Sequence, residues 1–154
     1  MRGEEVGGGT PDTKNNSYWN GDINWFTPTE IKQREAKSSL RKITESGLKN
    51  SSARLLPIGT LLFTSRATIG KIAITTSISS TNQGFQSFVV NRFNSNTFLY
   101  YWLILNKFEF IKHANGSTFL EISGNVVRKM KGSFPTLPEQ QKIASFLTSV
   151  DEYL

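Results

Sequence analysis

The sequence contains no cysteine, which excludes disulfide cross-links, thiolate catalysis and zinc ribbons. Its single histidine, His113, falls at the end of an expected helix. There it reads as a partner for the helix dipole rather than as a catalyst. No Gly-x-Ser-x-Gly elbow occurs, so a serine hydrolase of that type is excluded. Long apolar runs are also lacking: the longest, Phe98 to Leu105, is far below the ~20 residues of a membrane span. Met1-Arg2-Gly3-Glu4-Glu5 has no apolar segment behind its charge and is no export signal. The expectation is a cytoplasmic protein with no membrane partner, in which the Asn-x-Ser triplets at Asn15, Asn50 and Asn115 are accidental. Ser65-Arg66-Ala67-Thr68-Ile69-Gly70-Lys71 fails as a phosphate-binding loop, with Ser65 in the place of the first glycine and Ile72 after the lysine. Glu30-Ile31-Lys32 has nuclease spacing but no strand-borne acid before it. No metal ligands and no catalytic residues are expected.

What is present is positive charge. Eighteen Lys and Arg stand against twelve Asp and Glu, giving a net charge of +6 and a pI near 9.7. That balance favours polyanionic partners, nucleic acid first. With 37% hydrophobic and 12% aromatic residues over 154 positions, the chain suits one packed domain with a short appendage.

Turn formers crowd residues 1–22, but Tyr18, Trp19 and Trp25 give that region anchors. Ile23 to Phe26 reads as a short strand, and Thr29 to Lys37 as a helix capped by Thr29. Leu40 to Ser52 is polar with little periodicity. Strands are expected at Leu61–Thr64, Lys71–Thr75 and Gln86–Val90. Thr97 to Lys112 is the best helix, with Phe98, Trp102, Leu105, Phe108 and Ile111 as its apolar face and Gly116 beyond its end. A further helix is expected between Thr118 and Met130. Pro138 then opens a last helix whose stripe is Ile143, Phe146, Leu147, Val150 and Leu154. Such a helix calls for a partner; folding back on its own domain is the alternative.

Three loops combine cations, amides and hydroxyls. They contribute Thr10, Thr13 and Lys14; then Ser65, Arg66, Thr68 and Lys71; then Asn82 and Gln83. Hydroxyls and glycine amides suit phosphate oxygens, while Arg suits guanine and Asn or Gln adenine.

A set of blocks then carries a resemblance. It opens with Gly8-Gly9-Thr10-Pro11-x-Thr13-Lys14-Asn15, Tyr18-Trp19-Asn20-Gly21-Asp22-Ile23-x-Trp25 and Thr27-Pro28. It continues with Leu56-Pro57-x-Gly59-Thr60-Leu61-Leu62-Phe63-x-Ser65 to Lys71 and Thr81-Asn82-Gln83-Gly84-Phe85. It closes with Gly116-Ser117-Thr118-Phe119-x-Glu121-Ile122-Ser123 and Pro135-x-Leu137-Pro138-Glu139-Gln140-Gln141-Lys142-Ile143-Ala144. In this order they resemble the target-recognition domain of type I restriction–modification specificity subunits. The resemblance implies an α+β fold, with a compact mixed recognition domain over residues 1–137 and the start of a spacer, coiled-coil helix over 138–154. It adds Ser117 and Thr118 to the DNA-binding candidates and puts base reading in stretches such as Arg34–Arg54 and Asn91–Asn96.

In that family a subunit carries two such domains joined by paired helices, each reading half of a split DNA target. Methyltransferase subunits supply S-adenosylmethionine chemistry, and a translocating restriction subunit uses ATP and Mg. The chain itself is thus expected to be non-catalytic and without a cofactor, binding double-stranded DNA within a restriction complex. A homodimer, or a second half-subunit, is expected through the terminal helix. The alternative is a scaffold that mainly docks the methyltransferase; a stand-alone nuclease is a third reading. Two departures from the family stand out: only Met1 to Gly7 stand ahead of Gly8, with Glu4-Glu5 atypical, and the sequence stops at Leu154, without a second recognition domain or most of the spacer.

Overall fold

The computed structural model describes residues 3–66, 68–116 and 120–153. Two sheets form the frame. The larger takes its order from β1 (Gly3–Gly7), β8 (Gln86–Val90), β5 (Leu61–Phe63), β6 (Ile72–Thr75) and β3 (Glu35–Ala36); the smaller runs β4 (Arg41–Ile43), β2 (Trp19–Phe26), β7 (Ser79–Thr81). With four α-helices among the described residues this is a mixed α+β fold, as the sequence implied. Gly3–Gly7, ahead of Gly8, form an edge strand after all: β1 pairs antiparallel with β8 from Gly3↔Val90 to Gly7↔Gln86. The side chain of the atypical Glu5 is buried beside Gly124 and ion-pairs with Arg128.

Side-chain alternation on the central strands separates two apolar layers, because successive residues of a strand face opposite sides. Leu61, Phe63, Ile72 and Phe88 face a cluster completed by Phe98, Leu99, Leu103, Phe110, Ile122 and Val127 from the helical side. Leu62 and Ala73 face the opposite cluster with Phe26, Ile31, Leu56 and Phe85. A third cluster, Trp19, Trp25, Ile43 and Ala53, lies in the smaller sheet.

Several expectations need correction. The helix expected from Thr29 to Lys37 does not form. Pro28–Glu30 make a single 3-10 turn, and Arg34 to Ala36 instead pair in parallel with β6. The polar stretch after Leu40 holds β4 and a short α1 (Glu45–Lys49) capped by Thr44. Of the helix expected from Thr118 to Met130, Thr118 and Phe119 lie outside the described residues; from Leu120 on it is limited to α3 (Gly124–Lys129), capped by Ser123. On α2 (Asn96–Lys112) the buried residues are Phe98, Leu99, Leu103 and Phe110, while Leu105 and Phe108 are exposed. Apolar residues surround this helix, so periodicity alone placed Phe98 and Trp102 rightly and Leu105 and Phe108 wrongly.

The last helix, α4 (Leu137–Tyr153), docks beside α2. Thr136 leads into it, its hydroxyl and then its amide donating to Glu139, which holds that carboxyl below its ordinary range. Gln140, only 1% exposed, accepts from the Ser95 amide at 2.9 Å and donates to the Pro135 carbonyl at 2.9 Å. Two turns on, Tyr101 donates to Asp151 at 2.6 Å, and Arg34 donates to Tyr101 and Thr148, each at 3.2 Å. The docked face is thus Gln140, Ala144, Thr148 and Asp151. The predicted stripe points away: Ile143, Phe146 and Val150 are exposed, with Phe146 at 67%, and Leu147 is half-buried. Leu154 lies outside the described residues. The helix therefore folds back on its own domain, as the alternative had it, and leaves Ile143, Phe146 and Val150 uncovered.

Gln140→Ala is expected to destabilise the chain by about 1–3 kcal/mol, since it strips the Ser95 amide and Pro135 carbonyl of their buried partner. Urea unfolding measures the loss, and faster amide exchange along α4 locates it.

Candidate nucleic-acid interface

The first polar loop begins where three backbones meet. The Gly9 amide donates to the Thr81 carbonyl at 2.9 Å. A Cβ on Gly8 would lie 1.9 Å from the Asn82 carbonyl oxygen, and one on Gly9 would lie 2.3 Å from the Ala53 amide nitrogen. These glycines are demanded by close backbone approach. The Gly9 amide, expected to suit a phosphate, is already spent on Thr81.

Two indoles pin the rest of this loop. Trp25 Nε1 donates to the Gly9 carbonyl at 2.9 Å and Trp19 Nε1 to the Asp12 carbonyl at 3.0 Å. The rings meet edge to face at 5.1 Å, an arrangement their quadrupoles favour. Asp12 Oδ1 accepts from the Lys14 amide at 2.9 Å and closes the tip. Thr13 and Lys14 are left exposed there.

The remaining loops join this one in a continuous seam. Thr10 Oγ1 donates to Gln83 Oε1 at 2.6 Å. The Asn82 side chain accepts through Oδ1 from the Gly84 amide at 2.9 Å. The Gly84 carbonyl accepts from the Ser65 amide at 2.9 Å, and the Ser65 carbonyl accepts from Ile122 at 2.8 Å. Asn115 and Glu121 exchange backbone bonds of 2.9 Å, and Arg66 pairs with Glu121 at 2.8 Å. Within the β5–β6 link, Thr64 Oγ1 donates to the Thr68 carbonyl and accepts from the Lys71 amide. Gly70 takes the positive φ of 89° that the turn needs.

The structure thus brings together candidates separated by up to 73 positions in sequence. Thr13, Lys14, Arg66, Thr68, Lys71 and Gln83 are exposed; Thr10 and Asn82 are half-buried. Ser65 is fully buried with both backbone groups in the seam, so it supports the loop and presents nothing to a ligand. Ser117 and Thr118 lie outside the described residues. Asn91–Asn96 is not at this rim. It comes after the far end of β8, where Ser95 and Asn94 hold Gln140. The Arg34–Arg54 stretch does reach the rim side through β4, which pairs with the end of β2 (Trp25↔Arg41). Sequence reasoning missed Arg41 there, whose guanidinium lies 3.5 Å over the Trp19 ring. The signal was a basic residue in a polar stretch beside tryptophans, and only the strand pairing joins them.

The groups weighed for catalysis are engaged elsewhere. Glu30 accepts from the Thr27 amide, the Thr27 hydroxyl and the Leu40 amide, each at 2.7 Å. His113 Nδ1 lies 2.8 Å from the Glu109 carbonyl at the end of α2. Among the described residues no cluster of acids and histidine could hold a metal, and no helix is long and apolar enough to cross a membrane.

Comparison with known proteins places this architecture. The family model described as type I restriction modification DNA specificity domain matches residues 4–154. The chain is 39% identical over 157 residues to the type I restriction enzyme MjaIX specificity subunit of Methanocaldococcus jannaschii, covering 99% of this chain and 36% of that protein. It is 24% identical over 156 residues to the EcoR124I/EcoR124II specificity subunit of Escherichia coli, covering 97% and 39%. The chain therefore spans little more than a third of these relatives. Among solved structures, the fold matches a chain from a study of type I R-M complex assembly and conformational transition with TM-score 0.76 and 17% identity, covering 97% of this chain and 36% of that one. It also matches the HsdS subunit from Thermoanaerobacter tengcongensis with TM-score 0.64 and 18% identity, covering 97% and 34%.

Alanine at Gly8 or Gly9 is expected to destabilise the fold by about 1–3 kcal/mol, because the new Cβ meets backbone rather than a movable side chain. Gly7→Ala is the control, since its Cβ would meet only Gln86 Oε1, at 4.0 Å. Thermal unfolding should separate the first two from the third; equal midpoints would refute the seam's role.

Proposed function

The chain belongs to the type I restriction–modification DNA specificity family, and from that membership we propose that it reads one half of a split double-stranded DNA target within a type I complex. It acts without a catalytic centre or cofactor of its own. S-adenosylmethionine belongs to the methyltransferase partner, and ATP and Mg to the restriction partner. The observation that carries the reading is the seam: loops distant in sequence converge on one rim and turn Thr13, Lys14, Gln83, Arg66 and Lys71 outward. Neither Lys14 nor Lys71 pairs with a carboxylate among the described residues. Free cations beside small polar groups are what a phosphate backbone selects.

A second reading rests on α4. Its outward stripe of Ile143, Phe146 and Val150 suits a helical partner, either a second half-subunit or another copy of the chain. The scaffold alternative, in which docking the methyltransferase is the main role, uses the same face. Phe146→Asp distinguishes the two roles without touching Gln140: partner binding or self-association falls while DNA affinity is retained, as read by sedimentation and by duplex titration.

Lys14→Ala and Lys71→Ala are each expected to weaken duplex binding across sequences and to lower the slope of log K against log salt by about 0.9. Titrations over a range of salt with both single variants measure this. Two unchanged slopes would remove this rim from the interface.

A further inference from the structure

Arg41 opens β4 opposite Trp25, and its guanidinium carbon stands 3.5 Å above the centre of the Trp19 ring and 5.7 Å from that of Trp25. The platform is held on several sides. Trp19 is buried, bonded through its indole N–H to Asp12 and wedged edge-on against Trp25. The backbone beneath is also braced. Ser39 Oγ donates to the Arg41 carbonyl at 2.6 Å and accepts from the Trp25 amide at 2.8 Å, while Glu30 holds the Leu40 amide.

Stacking fixes the plane of a guanidinium and leaves its N–H edge free, since the attraction acts through the face of the group. Arg41 is exposed, and no acceptor or carboxylate among the described residues takes its side-chain donors. Three other arginines differ: Arg34 is spent on Tyr101 and Thr148, Arg66 on Glu121, and Arg128 on Glu5. Arg92 also lies over a ring, but at 4.8 Å from the centre of Phe93, which is itself exposed and gives no buried platform. Beside Arg41, Leu40 projects at 89% exposure from a backbone that Glu30 fixes. A lone exposed leucine is ordinary. One that a buttressed turn holds out next to a preorganised arginine is placed for contact.

We propose that Arg41 is a base-reading residue that donates bidentately to the O6 and N7 of a guanine in the major groove, with Leu40 packing against the neighbouring base. This deepens the DNA-recognition reading and rests on it. A phosphate needs only positive charge, which Lys14 and Lys71 offer at the loops. A planar fork with its orientation set in advance matches the paired acceptors of guanine, and ordering it on binding costs little.

The test is selection of duplexes from a random library by the full chain, repeated with Arg41→Lys and Arg41→Gln, with a thermal unfolding curve for each. The wild-type chain should enrich a motif containing a guanine. Arg41→Lys keeps the charge, so the salt slope and the rest of the motif should persist, while preference at that guanine falls about tenfold or more. Arg41→Gln should also lose the guanine preference. If both variants select the wild-type motif with the same preference, Arg41 is a structural stack or a phosphate contact and the proposal is overturned. It is equally overturned if Arg41→Lys weakens every position alike with a lowered unfolding midpoint. If the wild-type chain enriches no motif and the Lys14 and Lys71 variants bind as it does, the DNA-recognition reading fails and takes this proposal with it.

Discussion

Backbone passes backbone at Gly8 and Gly9 more closely than any side chain permits, and the rim of the molecule depends on that contact. Gly8–Gly9 come directly after β1 of the larger sheet, while Thr81 ends β7 of the smaller one. The amide of Gly9 on the carbonyl of Thr81 therefore ties one sheet to the other. With the two sheets in register, Trp25 can reach the Gly9 carbonyl and Trp19 the Asp12 carbonyl. Those two bonds hold the Thr13–Lys14 tip, and they also fix the ring on which Arg41 lies. A loop that sequence composition presents as loose is rigid because its carbonyls are satisfied by buried indoles.

At the other end of β8 the same logic operates with different atoms. Gln140 sits within the protein, joining the start of α4 to the start of α2. The Arg34, Tyr101, Thr148 and Asp151 group repeats the attachment further along the helix. Two polar clamps on one face fix a helix in angle as well as position, which a single apolar contact would leave free to roll. They also account for the outward turn of Ile143, Phe146 and Val150: α4 docks through its polar and small residues, so its apolar stripe faces away from the domain.

How much of this was legible in the sequence varied with the kind of force involved. The strands β5, β6 and β8 were readable because they alternate apolar residues between two buried layers, and α2 because it is long. Of the smaller sheet only Ile23–Phe26, the end of β2, was readable. β7 is Ser79-Ser80-Thr81, fully buried, and it stays there because Ser80 donates to the Asn24 carbonyl and Asn24 binds Ser39 and Ser77. A strand held by hydroxyls and an amide has no hydrophobic period to detect. The failed helix after Thr29 has a different cause: Arg34 to Ala36 find a strand partner in β6, and that pairing overrides a weak local preference. At the site, the polar loops were identified but their arrangement was not, since Thr10 meets Gln83 only when both sheets are assembled.

That difference bears on what the family blocks do. Gly8, Gly9, Trp19, Trp25, Ser65, Gly84 and Ile122 all belong to blocks that carry the resemblance, and each is spent on the seam or its anchors. Residues already hydrogen-bonded or packed within the protein have little left with which to distinguish one DNA sequence from another. A frame of this kind fits many targets, provided the discriminating groups are mounted on it from outside the blocks. Arg41 and Leu40 meet that condition: they lie between blocks, they are exposed, and block residues or Glu30 hold them in place. The division also accounts for a resemblance carried by the blocks while the residues proposed to read bases lie between them.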